Sequence, residues 1–482
     1  MMKIRKRYDG LPLPVRAALW FTVCNIIQKG ISFLTLPVYT RLMSTEEYGM
    51  YQVFLSWLEI FEILATFRLG WGGYVVGLTK FEDDRDGYTS SMQTLSLFIT
   101  LLTFVLYMAA APVIDRITGL DRFMTSVIFG ILLFIPAMQI WMQRRRTEYR
   151  YRSVIVVSVL FSLASFLGGC TAAVTSAGKA SAVVFSRFVI QALACLPLIL
   201  ANCRGRFVFY DSRYWKRAFI FNLPLLPYYL SMVLLHSADK IMIQNIIGIS
   251  EAGIYGAAYT ISMCMQIFSQ AVNQTIQPWM FRKMKQGCVK AVPRVIHLTL
   301  FMIAGANFLF TALAPEIIAA AAPPRYYDAV KIIPPLSASV AVMYFYQHFV
   351  NVEFYFEESR LTSAASVGAA VMNILLNRYL IPRFGYCAAG YTTMISYLFF
   401  AGIHYLFMKR VCKKRGYREK ICDIRVMLSI LVFFQGLSIA LSAVYEKRAV
   451  RYAAVMLPVV FAFLKRRRIK AVLCGMRKEL QE

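Results

Sequence analysis

Charged and amide side chains recur on one face of two apolar, membrane-length stretches near the start of the chain. On the first stretch, Asn25 and Lys29 lie four residues apart, and on the second Glu59 and Glu62 lie three apart. Side chains at these spacings share one helix face. A charge inside a bilayer costs about 2.5–3.5 kcal/mol on insertion scales, so these groups must face protein or water. Either Lys29 pairs with a glutamate and locks the helices, or the charges line a polar cleft that a polar substrate crosses.

Two arginines near the ends of apolar stretches are further candidates for this cleft. Arg68 begins the segment Arg68–Gly73, whose three glycines predict a break at the end of the second stretch. Arg68 either snorkels to the lipid headgroups or lies at the cleft mouth. Arg187 lies about two helical turns inside the sixth stretch.

The eighth apolar stretch carries an uncharged polar stripe. Gln266, Gln270 and Asn273 follow one another at steps of four and three residues, which is again the period of one helix face. The first two stretches of each half of the chain therefore carry polar groups, and we expect them to face each other across a central cleft.

The usual signatures of metal and nucleotide chemistry are absent from the sequence. The four histidines have no ligand spacing, the ten cysteines form no Cys-x-x-Cys pair, and there is no His-Glu-x-x-His or Gly-x-x-x-x-Gly-Lys-[Ser/Thr] motif. We therefore expect no catalytic residue, no metal site, no cofactor and no ATP hydrolysis by this chain.

The elements that must position these groups are predicted to be membrane-spanning helices. The chain has 482 residues, of which 59% are hydrophobic and only 16% charged, too apolar for a soluble protein of this size. No connection exceeds about 20 residues, which leaves no room for a soluble catalytic domain. The sequence predicts an all-α integral membrane protein with about fourteen spans, at roughly 17–37, 50–67, 90–112, 123–142, 153–174, 180–201, 217–237, 252–277, 293–314, 330–350, 360–378, 386–408, 425–444 and 449–464.

The net charge of +28 follows the membrane topology and does not indicate nucleic-acid binding. With the N-terminus inside, 38 of the 53 lysines and arginines fall on the inner side, 12 fall on the outer side, and the remaining three lie within spans. This asymmetry is the positive-inside rule, and it predicts that both termini are cytoplasmic. The basic clusters are expected to lie against anionic headgroups of the membrane lipids.

The two halves of the chain repeat. A shift of 204 residues places Glu47–Tyr51 on Glu251–Tyr255, and both segments fall in the first outer turn of a six-span block. Six spans return the chain to the same side, so the halves would be parallel repeats. We predict an N-terminal lobe at 1–202, a cytoplasmic linker at 203–217, a C-terminal lobe at 218–410, and two further spans with a basic tail at 411–482.

Three segments carry a family resemblance. Thr40–Tyr51, Ser237–Ile243 with Gly253–Tyr259, and Asn373–Thr393 resemble turns of the polysaccharide-transport flippases, which export O-antigen and capsule repeat units. The last segment has Cys387–Gly390 where the family usually has a glycine followed by two alanines. The resemblance covers nearly the whole chain. It implies two six-helix lobes plus two C-terminal helices, in a superfamily that also holds lipid II flippases and multidrug antiporters.

This resemblance implies a flippase of the bacterial inner membrane. Its substrate would be an oligosaccharide on undecaprenyl diphosphate, translocated by alternating access. From the charges themselves we expect Lys29, with Arg68 or Arg187, to attract the diphosphate, while the uncharged stripes meet the sugars. Glu59 is expected opposite Lys29, and Glu62 is expected to exchange a coupling proton.

Two other functions stay open at this stage. A cation-coupled multidrug antiporter of the same superfamily would favour an acidic cleft, whereas basic and acidic groups are mixed here. A membrane glycan polymerase or transferase would be an enzyme and usually needs a large extracytoplasmic loop, which the predicted connections lack. Expected partners are the lipid-linked oligosaccharide and membrane lipids, with a polysaccharide polymerase and glycosyltransferases as further candidates and no nucleic acid.

Overall fold

The computed structural model describes residues 12–358, 360–417 and 421–464. Within these ranges the ordered elements are α-helices joined by short 3₁₀ turns, and no β-strand occurs. This confirms the predicted all-α membrane architecture. The basic N-terminal segment and the basic tail that the sequence analysis assigned to the cytoplasm lie outside the described residues.

The described chain divides into two compact units between Gly253 and Ile254. The first unit contains nine helices and the start of a tenth. Their bounds are α1 Leu13–Leu42, α2 Thr45–Thr66, α3 Gly72–Lys80, α4 Arg85–Thr118, α5 Arg122–Thr147, α6 Tyr151–Thr175, α7 Lys179–Asn202, α8 Ser212–Asn222, α9 Leu226–Ile246 and α10 Ile249–Ser262.

The second unit begins within α10 and continues to the end of the described chain. Its helices are α11 Cys264–Lys285, α12 Val292–Ala312, α13 Ala314–Ala321, α14 Ile333–Tyr355, α15 Arg360–Phe384, α16 Ala388–Lys414, α17 Ile424–Ser442 and α18 Arg448–Leu464. Each of the fourteen predicted spans falls on one of these helices or on two consecutive ones.

Nine helical segments of the described residues are long and apolar enough to cross a membrane, and the bent pair Pro324–Lys331 and Ile333–Tyr355 makes a tenth. Helix α2 is not among them, because Glu46, Glu47, Glu59 and Glu62 lower its hydropathy. A polar helix at membrane depth needs protein around it. Helix α2 satisfies this need, since it packs against α4, α5, α7 and α9 within the first unit.

The ends of α2 follow from local chemistry. Ser44 and Glu47 form a capping box, in which each side chain accepts a hydrogen bond from the other residue's backbone amide. At the other end, Phe67 and Arg68 adopt left-handed backbone angles, with φ of 49° and 51°. The predicted break after the second span is therefore present, and α3 resumes the helix at Gly72.

The predicted linker at 203–217 is partly helical, because α8 begins at Ser212. The carboxylate of Asp211 caps this helix by accepting a hydrogen bond from the Arg213 amide at 2.8 Å. Tyr214 packs edge-on against Phe81, at 4.7 Å between ring centroids. Aromatic packing thus holds this stretch against the first unit, and the contact boundary at Gly253 falls later in the chain than the predicted end of the linker.

Candidate functional site

Helix α2 positions the two candidate coupling carboxylates toward different neighbours. Glu59 is exposed and accepts a hydrogen bond from the Ser237 hydroxyl on α9 at 2.8 Å. Glu62 is half-buried and accepts a hydrogen bond from the Gln139 amide on α5 at 2.9 Å. The two carboxylates therefore have separate environments, as residues about 60° apart around one helix can.

Helix α9 brings charged groups to Glu59 that the sequence analysis missed. Asp239 and Lys240 are buried, and both Lys240 and His236 lie within electrostatic range of Glu59. The sequence analysis ended the seventh span at residue 237, whereas α9 continues to Ile246. A membrane helix can continue through adjacent acidic and basic residues when a neighbouring helix supplies a complementary charge. Glu59 on α2 is such a charge for Lys240, and it was the one signal in the sequence for this contact.

The two candidate arginines contact different neighbours. Arg187 on α7 is half-buried and lies within electrostatic range of the Tyr51 hydroxyl. Arg68 lies over Trp71 at 4.3 Å and over Tyr229 on α9 at 5.4 Å. In both arginines Nε is buried without a hydrogen-bond partner among the described residues. Both guanidinium groups also lie within electrostatic range of Glu62.

Lys29 and Asn25 are exposed on α1. This helix packs mainly against α6 and only slightly against α2. Glu59 faces α9 instead, and none of the ion pairs formed by the described residues includes Lys29. The structure thus does not bring Lys29 and Glu59 together as expected, because the two side chains lie on helices that pack in different directions.

The stripe on α11 belongs to the second unit. Gln270 is exposed, Gln266 is half-buried, and Asn273 is buried and accepts a hydrogen bond from the Asn351 amide on α14 at 2.9 Å. Asn273 therefore joins two helices within the unit, while Gln270 stays accessible. The described residues contain no group of three His, Cys, Asp or Glu side chains that could hold a metal ion.

The geometry defines a class of protein. A multi-pass helical membrane protein carries charged and amide groups at membrane depth, some buried in contacts between helices and some exposed. The fold is shared with transporters. A solved lipid II flippase, MurJ, in an inward closed conformation superposes with a TM-score of 0.71 at 12% identity, covering 94% of this chain and all of that one. An inward-facing multidrug MATE transporter of the MOP superfamily superposes with a TM-score of 0.66 at 14% identity, covering 81% and 96%.

The sequence identifies the family within this class. Residues 15–284 match the family model described as polysaccharide biosynthesis protein, which is more than half of the chain. The chain belongs to this family.

Two curated relatives match most of the chain at low identity. The probable low-salt glycan biosynthesis flippase Agl15 of Haloferax volcanii is 22% identical over 79% of this chain and 80% of its own length. The Lsg locus putative protein 1 of Haemophilus influenzae is 22% identical over 73% of this chain and 88% of its own length.

Proposed function

We propose that the chain is a flippase that moves an oligosaccharide on undecaprenyl diphosphate across a bacterial inner membrane, for the synthesis of surface polysaccharide such as O-antigen or capsule. Both termini would be cytoplasmic. The observation that carries the proposal is Lys29, an exposed cation in the middle of an apolar, membrane-length helix in a chain of the polysaccharide biosynthesis family. An ammonium at that depth requires water or an anionic partner. The diphosphate of a lipid-linked sugar would supply that partner.

The remaining candidate residues are assigned roles around this cation. Arg187 and Arg68 have guanidinium Nε–H groups that the described residues leave without an acceptor, which phosphate oxygens would satisfy. Asn25 beside Lys29 and the exposed Gln270 would meet sugar hydroxyls. Two negative charges leaving a negative cell interior gain about 2.3 kcal/mol each per 100 mV, so the membrane potential itself favours export.

Glu59 and Glu62 are the proposed coupling groups. Glu62 has only a neutral amide, Gln139, as its hydrogen-bond donor, so it can exchange a proton without losing an ion pair among the described residues. Glu59 lies within electrostatic range of Lys240 and His236 on α9. We expect Glu62→Gln to abolish the pH-gradient dependence of flipping and to keep substrate binding. Glu59→Gln is expected to impair both the gradient dependence and substrate binding. If Glu62→Gln keeps the gradient dependence of the native protein, Glu62 has no role in coupling.

The test of substrate recognition uses three variants in proteoliposomes that contain a lipid-linked oligosaccharide. Lys29→Gln should lose most flipping, and Lys29→Arg should retain part of it, at equal protein incorporation. If Lys29 serves only to neutralise a glutamate, the double variant Lys29→Gln with Glu59→Gln should restore flipping. Restoration would exclude diphosphate recognition by Lys29.

A cation-coupled multidrug antiporter is the second candidate. The exposed carboxylate of Glu59 and the MATE-like fold favour it, because a cationic drug would need an accessible anion. The same proteoliposomes distinguish the two, since an antiporter exports a cationic dye and does not flip the lipid-linked oligosaccharide. A membrane glycan polymerase or transferase has no specific observation in its favour.

A further inference from the structure

The second unit contains a buried carboxylate–imidazole pair that the proposed function does not use. Glu353 lies near the end of α14 and His404 lies within α16, and their side chains are 1% and 0% exposed. His404 Nδ1 is 2.9 Å from both carboxylate oxygens. The Thr362 hydroxyl on α15 donates a further hydrogen bond to Glu353 Oε2 at 3.3 Å. Three helices of the unit therefore meet at this carboxylate.

The geometry determines where a proton can bind. An ionised carboxylate only accepts hydrogen bonds, so Nδ1 of His404 must carry a hydrogen. The other ring nitrogen, Nε2, is buried and has no hydrogen-bond partner among the described residues. In the neutral imidazole this nitrogen holds a free lone pair. The pair then carries one net negative charge in a buried place, which is unfavourable without compensation.

The surroundings of the pair are mainly aromatic. The ring of Tyr346 on α14 lies parallel to His404 at 6.0 Å between centroids, and Phe400 packs edge-on at 4.4 Å. Among the described side chains, none of these contacts supplies a second cation to Glu353. Other titratable groups on elements packed against α14 include His297 on α12, His348 on α14 itself and Asp423 before α17, where His297 interacts with both His348 and Asp423. The helices packed on α14 also carry cationic side chains, which include Arg282 of α11, Arg294 of α12, Lys409 of α16 and Arg425 of α17.

A cavity near the end of α16 lies close to the pair along this helix. A cavity of about 620 Å³ is lined by Met408 and Lys409 of α16 and by Ile424 and Arg425 of α17. Met408 follows His404 by four residues, so the two side chains lie on one face of α16, one helical turn apart. A proton thus has about one turn of helix to cross between the cavity and Nε2.

We propose that Glu353 and His404 form a proton-binding site inside the second unit. One proton adds to Nε2 of His404 and converts the neutral imidazole and its carboxylate, with one net negative charge, into an imidazolium–carboxylate pair with none. Loss of the proton from Nε2 restores the charged pair. The site deepens the proposed function, on which it rests in one respect: the pH gradient that acts on Glu62 in the first unit also acts on this second proton-binding site, and flipping depends on the gradient only when both sites are intact.

The first experiment measures proton binding without transport. The chain has four histidines, so the full-length protein labelled with ¹⁵N-histidine in lipid nanodiscs gives at most four ring systems to follow by NMR. The His404→Gln variant assigns one of them. On acidification, we expect the His404 ring to change from the Nδ1–H form to the imidazolium. In Glu353→Gln, which removes the carboxylate that pairs with the imidazolium, less imidazolium should form under the same conditions, whereas Thr362→Val, which keeps both groups of the pair, should resemble the native protein. A His404 ring that titrates alike in the native protein and in Glu353→Gln would overturn the proposal.

The second experiment measures coupling in proteoliposomes. If one proton moves per substrate, a gradient of one pH unit changes the limiting distribution of substrate by up to about tenfold. Glu353→Gln and His404→Gln should flip substrate without a gradient and lose this dependence, while Thr362→Val keeps it. Full gradient dependence in both variants would overturn the coupling role. A native protein that flips no lipid-linked oligosaccharide would instead refute the proposed function, and the NMR titration would still decide whether the proton site exists.

Discussion

Replacement of Gly49 by alanine tests the closest approach between two helices of the first unit. Gly49 lies in the first turns of α2, where a Cβ atom would stand 1.9 Å from the carbonyl oxygen of Ile249 at the start of α10. Ordinary contact begins at 3.4 Å, so the backbones would have to separate by roughly 1.5 Å. Overpacking of this kind typically costs about 1–3 kcal/mol.

Alanine also favours the helix by about 1 kcal/mol relative to glycine, so the comparison needs a glycine in open space. Gly436 in α17 provides it, because a Cβ there meets no atom within 4 Å. We expect Gly49→Ala to be less stable than Gly436→Ala by about 1–3 kcal/mol, measured by unfolding of the purified protein in detergent. Gly253→Ala should resemble Gly49→Ala, because its Cβ would stand 2.3 Å from the Thr45 carbonyl oxygen.

The double variant Gly49→Ala with Gly253→Ala should cost less than the two single variants together, since either alanine already separates the same helices. Equal stability of Gly49→Ala and Gly436→Ala would refute the reasoning, and it would mean that α2 and α10 do not make this contact in the membrane.

Two further predictions concern an ion pair and the topology. Burial by itself raises the pKa of Glu316, but hydrogen bonds from Arg451 at 2.6 Å and Tyr452 at 3.1 Å outweigh it and hold the pKa below its usual value. The stabilisation of the fold by these hydrogen bonds is therefore present above about pH 4.3, the pKa of glutamate in the unfolded chain. It is lost as the pH falls through the lower pKa that Glu316 has in the folded protein. Below about pH 4.3, Glu316→Gln should consequently lose less stability on acidification than the native protein, by no more than about 1 kcal/mol because the pair is partly exposed; the same loss in both would contradict this role. The topology is tested with single cysteines in a cysteine-free background and an impermeant thiol reagent added outside. The reagent should label cysteines at the outer positions Asp121, Lys179, Arg325 and Arg383 and spare those at the inner positions Arg145, Arg213, Lys285 and Lys414. Outside labelling of Lys414→Cys would overturn the predicted topology.

The fold was predictable because hydrophobicity acts over whole helices. The fourteen apolar stretches and the break at Arg68–Gly73 each rest on many residues or on several glycines, so a few polar side chains did not hide them. The end of α9 was missed for the opposite reason. Asp239 and Lys240 lower the local hydropathy, and the interaction of Lys240 with Glu59 on another helix is not visible from the sequence of α9 alone.

The partners of the candidate residues were less predictable than their positions. Helix periodicity places Lys29, Glu59 and Glu62 on helix faces, but it does not say which helix packs on each face. Glu59 meets Ser237 of α9, which lies 178 residues away along the chain. The Glu353–His404 pair spans 51 residues and two helices, so neither residue forms a local motif that sequence spacing could reveal.

The contact at Gly49 and Gly253 has a consequence for the history of the chain. The shift of 204 residues that relates the repeats carries Thr45 onto Ile249 and Gly49 onto Gly253. Gly49 faces the carbonyl oxygen of Ile249, and Gly253 faces the carbonyl oxygen of Thr45, the residue that the shift carries onto Ile249. The contact is therefore reciprocal. A surface that contacts a second copy of itself makes reciprocal contacts of this kind. A gene duplication followed by fusion would supply both sides of such an interface at once. The backbone of one copy would then restrict substitution of the glycine in the other copy, while the rest of each copy diverged.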